Sequence, residues 1–130
     1  MGYRSDVAGI IMFKSIEDRD KFVLLVHARG EEDDMYQFNL GKNSDCEWTV
    51  DNAKQPIMSF QYDDVKWYES DAEVQAHYDM CRFATETFEA GWLIVQVGED
   101  GQTTDDGDSV NKYDLYEFIS VRHTIETQFD

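Results

Sequence analysis

The chain has 130 residues, the size of one domain, and its 42% hydrophobic and 14% aromatic content is typical of a folded protein rather than an acidic disordered tail. Twenty-eight acidic residues oppose eleven basic ones, so the formal net charge is −17, which disfavours direct binding to nucleic acid or to an anionic membrane. No apolar run reaches the roughly 18 residues of a membrane helix. There is no signal-like start and no disulfide framework, so we expect a cytoplasmic protein.

The first elements predicted along the chain are a strand and a helix. Val7 to Phe13 is apolar at both alternating sets of positions, which predicts a central strand with two buried faces. Ser15 is placed to cap a helix with an acidic first turn, and Gly30 is placed to end it. The face of this helix that we expect to be buried carries Phe22, Leu25, Val26 and Arg29.

A hairpin and a long strand follow in the prediction. Met35 to Leu40 and Cys46 to Val50 are predicted as the two strands of the hairpin. In the next strand, Ile57 to Tyr68, the apolar positions before and after Asp63-Asp64 fall on opposite faces. This change of phase predicts a β-bulge or a strand end at Asp63-Asp64.

The second half of the chain is predicted to contain a helix and two more strands. Ser70 to Glu73 has the S-x-x-E spacing of a capping box, and the helix that it opens continues to about Phe88. Trp92 to Val97 is a second strand with two apolar faces. Glu99 to Asp108 is predicted as an exposed hairpin loop and Tyr113 to Thr127 as the last strand.

These elements predict a single α+β domain over residues 1–130. We expect a mainly antiparallel sheet of about five strands with two helices on one face, in the order β-α-β-β-α-β-β. A ferredoxin-like arrangement is the topology that this order favours.

Two segments partly match the ligand spacings of known metal sites. His77 and Cys81 lie one helical turn apart, as two zinc ligands would, but the same helix face is apolar and we interpret it as core. The acidic loop fails as an EF-hand because, counted from Asp106, Val110 and Asn111 occupy positions 5 and 6. We therefore predict no metal and no cofactor.

One enzymatic pattern is present. Asp51 with Asp64-Val65-Lys66 resembles the D…D-x-K signature of Mg²⁺-dependent nucleases, and strand alternation would place Asp64 and Lys66 on one face. The D-x-K triplet is common, however, and the negative charge of the chain would repel a nucleic acid substrate. No P-loop, nucleophile elbow or dinucleotide-binding glycine pattern is present. We therefore predict a protein that is not an enzyme, with a metal-dependent nuclease as the alternative.

The acidic residues cluster in three runs, at residues 31–34, 63–73 and 99–117. Evenly spread, the net charge would give one charge per about 400 Å², against one per roughly 100 Å² on duplex DNA, so only clustered acids could imitate DNA. The predicted partner-binding residues are Glu31, Glu32, Asp33, Asp34, Asp63, Asp64, Glu69, Asp71, Glu99, Asp100, Asp105, Asp106 and Asp108.

Three short segments carry a resemblance to a known group of proteins. These are Met1 to Val7 (MGYRSDV), Val65 to Tyr68 (VKWY), and Tyr116 with the Ile- and Arg-containing segment after it. They resemble small acidic proteins of phages and prophage-bearing bacteria, which are mostly uncharacterised. The resemblance implies a phage accessory protein in a bacterial cytoplasm and implies no functional residues.

The negative charge of the chain and the phage setting that the resemblance implies together predict a binding protein. We expect it to inhibit a basic, nucleic-acid-binding host protein, such as a defence nuclease, a CRISPR or restriction complex, or a polymerase, by presenting a DNA-mimicking surface. Aromatic side chains beside the acids would anchor the contact. The second alternative is a phage structural or assembly protein, in which acidity maintains solubility.

Overall fold

The computed structural model describes residues 4–30, 32–40, 48–50, 55–68, 70–109 and 115. The elements follow one another along these residues as β1 Ser5–Met12, α1 Ile16–His27, α2 Asp34–Asn39, β2 Thr49–Val50, β3 Ile57–Val65, α3 Ala72–Phe88, β4 Gly91–Gly98 and β5 Thr103–Asp108.

The strands form one antiparallel sheet in the order β2-β3-β1-β4-β5. β2 has two residues, whereas the other four strands have six to nine. β1 lies between β3 and β4, and β4 lies between β1 and β5. The two segments whose alternating positions are all apolar are therefore central strands, as the sequence predicts.

Each face of the sheet has its own apolar cluster. On one face, Val7 and Ile11 of β1 pack with Phe22 of α1 and with residues of α3. On the other face, Ala8 and Ile10 pack with apolar residues of β4 and with Leu115. Alternation along β1 thus divides its side chains between two buried layers, which explains why the strand has no polar face.

The change of apolar phase that the sequence shows at Asp63-Asp64 corresponds to a β-bulge in β3. The pairing of β1 with β3 shifts between Ser5 and Val7, where Asp63 and Asp64 together lie opposite a single residue. Asp64 adopts a left-handed conformation with φ 55°, and its backbone N–H donates to Asp6 Oδ1 at 2.9 Å. The bulge prediction is confirmed.

Helix α1 begins as the sequence predicts. The Ser15 side chain accepts a hydrogen bond from the Asp18 backbone N–H at 3.1 Å. Phe22 and Val26 are buried as expected, but Leu25, which the sequence pattern places on the same face, is 42% exposed. Leu25 precedes Val26 by one residue, and a rotation of about 100° between neighbours turns it toward solvent.

The hairpin predicted at 35–50 is wrong in its first strand, because residues 34–39 form helix α2, whereas Thr49–Val50 at its end is strand β2. The alternation of aromatic and polar residues there resembles a strand, but Asp33 caps the segment by accepting from the Met35 and Tyr36 backbone N–H groups. Buried Asn39 then fixes the helix, because its side-chain amide donates to the Met35 carbonyl and to the Ala76 carbonyl of α3.

Three other boundaries differ from the prediction. Ser70 does not cap α3; the cap is Asp71, which makes no side-chain capping bond. β3 ends at Val65 rather than at Tyr68. Most of the segment predicted as the acidic loop is strand β5, since the apolar strand β4 has backbone groups to satisfy on that side and pairs with Thr103–Asp108.

The α+β class and the antiparallel sheet are confirmed. The described residues contain three helices rather than two, and the strand positions differ as stated. The last predicted strand, residues 113–127, lies outside the described residues except for Leu115, and so do residues 41–47 of the predicted hairpin, which include its turn. Within the described ranges, no helix combines the length and apolar composition needed to cross a bilayer.

Candidate functional site: an acidic rim

Acidic residues from separate parts of the chain meet at one end of the sheet. Because neighbouring strands are antiparallel, β1 begins where β3 and β4 end: Ser5 lies opposite both Val65 and Gly98. The Asp63-Asp64 bulge therefore lies at the same end of the sheet as the turn that starts at Glu99.

Arg4 connects the bulge with this turn. Its guanidinium Nη1 donates to the Asp64 carbonyl oxygen at 3.0 Å, and its backbone carbonyl accepts from the Glu99 N–H at 2.9 Å. Its backbone N–H also lies 3.4 Å from Glu99 Oε1. The second and third acidic runs are thus joined by direct contacts at the start of β1.

The third run continues along the edge of the sheet. All six residues of β5 are exposed. Asp106 and Asp108 lie opposite Ile94 and Trp92, so they point to the helix side of the sheet, whereas Asp105 points to the other side. Asp106 and Asp108 are roughly 7 Å apart along the strand.

We call this group the acidic rim. It consists of the carboxylates of the bulge, of the β4–β5 turn and of β5, with one from the start of β1. Its members are Asp6, Asp63, Asp64, Glu99, Asp100, Asp105, Asp106 and Asp108.

The sequence predicts most of the rim but not all of it. Asp6 is not among the predicted partner-binding residues. Its carboxylate accepts a hydrogen bond from the Asp64 backbone N–H in the bulge. Neither Asp6 nor Arg4 belongs to a charge run, so the signal that could have found them was their position just before the predicted strand Val7 to Phe13.

The first acidic run has a different role. Asp33 caps α2 and binds Arg29 Nε at 3.0 Å, and this hydrogen bond from Arg29 lowers the pKa of the Asp33 carboxyl. Glu32 and Asp34 are exposed. At least one member of the run therefore serves the fold, and the described contacts do not join the run to the acidic rim.

The remaining members of the predicted set lie near α3 or outside the described residues. Asp71 is exposed at the N-terminus of α3. Glu31 and Glu69 lie outside the described residues.

A groove of about 310 Å³ separates the start of α3 from β5. Asp106 lines it from the strand side, and Tyr78, Asp79 and Arg82 are among the residues that line it from the helix. Arg82 Nη1 lies 2.9 Å from Asp79 Oδ1, so the helix side is partly neutralised. The lining therefore holds two carboxylates and one guanidinium, which makes the groove only weakly negative.

His77 and Cys81 are core residues, as predicted from their helix face. Both are fully buried. The His77 Nδ1–H donates to the Glu73 carbonyl at 2.7 Å, and Nε2 accepts from the Tyr62 hydroxyl at 3.3 Å. Burial lowers the pKa of His77 to about 4, so the ring is neutral at pH 7. Both ring nitrogens are engaged within the protein, which favours a packing role.

The regular strand on which the D…D-x-K interpretation depends does not extend over both Asp64 and Lys66. Asp64 is in the bulge with a left-handed backbone, and Lys66 follows the end of β3. Regular alternation therefore does not bring their side chains to one strand face, and the prediction that it does is wrong. Asp51 lies outside the described residues. Among those described, no group of three His, Cys, Asp or Glu side chains has the geometry to hold a metal ion.

Comparison of the chain with protein-family models, with curated protein sequences and with solved structures gives no match.

Proposed function

We propose that this protein is an acidic binding protein that inhibits a basic, nucleic-acid-binding protein by covering its nucleic acid site. The observation that carries the proposal is the acidic rim, in which carboxylates from distant parts of the sequence line one end and one edge of the sheet. Long-range attraction between such a surface and a basic cleft accelerates the encounter, and clustering raises the local charge density above the chain average.

The position of the rim on the sheet supports a recognition role. Backbone pairing with β4 holds the β5 carboxylates on a strand, and the bulge contacts hold Asp64 against Asp6. A partner that binds a fixed charge pattern loses less conformational entropy at the interface than one that orders a flexible loop. Charged residues on an edge strand also prevent edge-to-edge aggregation, so the same side chains serve solubility.

The experiment is a pull-down from a bacterial lysate with the tagged chain at about 50 mM and about 500 mM salt, because electrostatic association weakens as salt screens it. Proteins retained only at low salt are then tested for nucleic acid binding in the presence of increasing amounts of this protein. We expect a basic protein that releases its nucleic acid in proportion to the amount added.

Two variants with equal charge changes make this experiment specific. In the rim variant, three carboxylates of β5 become amides: Asp105→Asn, Asp106→Asn and Asp108→Asn. In the control variant, three exposed carboxylates outside both the rim and the predicted partner-binding set change in the same way: Glu17→Gln, Glu86→Gln and Glu89→Gln. Capture and inhibition should fall in the rim variant and persist in the control. Equal loss in both would indicate a non-specific charge effect, and co-purification with virion components alone would favour an assembly role.

The proposal also includes the cellular setting of the protein and the topology of its fold. The setting is a bacterial cytoplasm with a phage-encoded gene, as the resemblance of the short segments implies. The topology is ferredoxin-like for the portion β1-α1-β2-β3-α3-β4, because each of its two helix-containing connections passes over one intervening strand. β5 would then be an addition at the edge, and it is this addition that carries three rim carboxylates.

A further inference from the structure

The sheet has an open edge at β5. Its other edge is β2, which has two residues, whereas β5 has six and all six are exposed. In the part of the chain that the structure describes, no strand pairs with β5 on the side away from β4. A regular strand in this position presents backbone N–H and C=O groups that another strand can bind.

The register of the β4–β5 hairpin identifies these backbone groups. The Gly98 N–H donates to the Gln102 carbonyl at 2.8 Å, which makes these two residues a hydrogen-bonded pair. Hydrogen-bonded and non-hydrogen-bonded pairs then alternate along the two strands, so Thr103 and Gly107 are at non-hydrogen-bonded positions. Their N–H and C=O groups therefore point away from β4, toward the open side of the sheet.

The side chains of this edge favour a basic strand as its partner. Asp106 and Asp108 lie on the helix side of the sheet, at the positions that alternate with the outward-pointing backbone groups. Two carboxylates directly opposite each other destabilise a pair of strands, whereas a carboxylate opposite a Lys or Arg stabilises it. A second copy of the chain has the same three aspartates on β5 and a net charge of −17, so self-pairing is disfavoured.

The groove beside β5 leaves room for long side chains on the helix side. It has a volume of about 310 Å³, and its lining includes Asp106 on the strand and Tyr78, Asp79 and Arg82 on α3. A strand added to β5 would project alternate side chains to this side of the sheet. Extended peptides bind sheet edges through backbone pairing together with a space that accepts alternate side chains, and β5 offers both.

We propose that β5 binds an extended segment of the partner protein, which adds a further strand to the sheet. The added strand would be antiparallel to β5, the orientation with the more stable pairing per residue. Lys or Arg residues would lie opposite Asp106 and Asp108, and the residues between them would exchange backbone hydrogen bonds with β5. The inference deepens the proposed function and rests on it for the basic nature of the partner.

The probe is the peptide acetyl-Thr-Lys-Thr-Lys-Thr-Lys-Thr-amide, titrated into the ¹⁵N-labelled protein at about 50 mM salt and followed by NMR. Two control peptides keep its sequence and charge: one is N-methylated on the inner threonines and the other on the lysines. In the proposed register the threonine N–H groups face β5 and the lysine N–H groups face solvent. Threonine methylation should weaken binding about tenfold or more, and lysine methylation should alter it less than about twofold.

A peptide with glutamine in place of lysine measures the contribution of charge, and it should bind about fivefold more weakly. Hydrogen exchange of the protein amides gives the position of binding. The Thr103 and Gly107 amides should exchange more slowly when the lysine peptide is bound, because their N–H groups gain an acceptor. The Asp106 amide, which is at a hydrogen-bonded position with β4, should change much less.

Two substitutions at one position test the same contact from the protein side. Gly107→Pro removes the outward N–H and leaves the bonds to β4, because proline is tolerated on an edge strand where its nitrogen faces solvent. Gly107→Ala keeps the N–H and serves as the matched control. Neither change alters the charge of the rim. Peptide binding should fall about tenfold in Gly107→Pro and less than about twofold in Gly107→Ala.

Three results would overturn the inference: equal binding of the two methylated peptides, undiminished peptide binding by folded Gly107→Pro, or a dimer of the unaltered protein that pairs through β5 and excludes the peptide. The first and third use the unaltered protein, so they hold even where a variant fails to fold. Peptide pairing at β5 without lysate capture would contradict the proposed function alone. Lysate capture that Gly107→Pro does not diminish would contradict the edge pairing alone.

Discussion

Protonation of His77 should make this protein less stable as the pH falls toward 5. His77 is fully buried among the rings of Trp48, Phe60, Tyr62 and Trp67. Burial lowers its pKa from 6.5 to about 4 in the folded state. The unfolded chain therefore binds a proton between these two values and the folded chain does not, which favours unfolding as the pH falls below 6.5.

The size of the effect follows from the two pKa values. With 6.5 for the unfolded chain and about 4 for the folded one, the free energy of unfolding falls by about 2 kcal/mol between pH 7.5 and pH 5.0. The full contribution would be about 3 kcal/mol, but it is reached only below pH 4, near the pI of 4.2, where solubility limits measurement. The useful window is therefore pH 5.0 to 7.5.

The assay is urea denaturation followed by tryptophan fluorescence at several pH values in this window. His77→Gln removes the titrating ring, and His27→Gln is the matched control because His27 is exposed. Carboxylate titration affects all three proteins alike, so the difference between His77→Gln and the other two isolates His77. The reasoning is refuted if His77→Gln and the unaltered protein lose the same free energy of unfolding between pH 7.5 and 5.0.

Three further predictions concern packing, capping and the rim. Gly9→Ala should destabilise the protein by about 1–3 kcal/mol, because a Cβ there would lie 2.2 Å from the Phe60 ring; in urea denaturation, Phe60→Leu in the same chain should recover part of the loss, and additive losses would contradict this account. Ser15→Ala should cost about 1 kcal/mol in the same assay through loss of the α1 cap, and an unchanged midpoint would show that the cap contributes nothing. Amide replacement of the three β5 carboxylates should leave the melting temperature unchanged or slightly raised, with or without calcium, since like charges then cease to repel. A calcium-dependent rise in the unaltered protein that these replacements abolish would instead identify a metal site. The replaced residues are Asp105, Asp106 and Asp108.

The sequence by itself determined the features that depend on local pattern. Two segments with apolar residues at every alternating position became the central strands, because a strand without a polar face is stable only between two buried layers. The phase change at Asp63-Asp64 predicted the bulge, and Ser15 predicted the start of α1. The helix stripe that carries His77 was correctly read as core, because the stripe is apolar along its length.

Only the tertiary structure decided the features that depend on distant partners. Helix α2, which Asp33 caps locally, is joined to α3 by the bond from Asn39 to the Ala76 carbonyl, and residues 103–108 form a strand because β4 pairs with them. Neither interaction can be predicted from local sequence pattern, because each joins segments that are far apart along the chain. The acidic rim has the same origin: its carboxylates were visible as separate charge runs, but the antiparallel order of the strands brings the bulge and the turn at Glu99 together around Arg4.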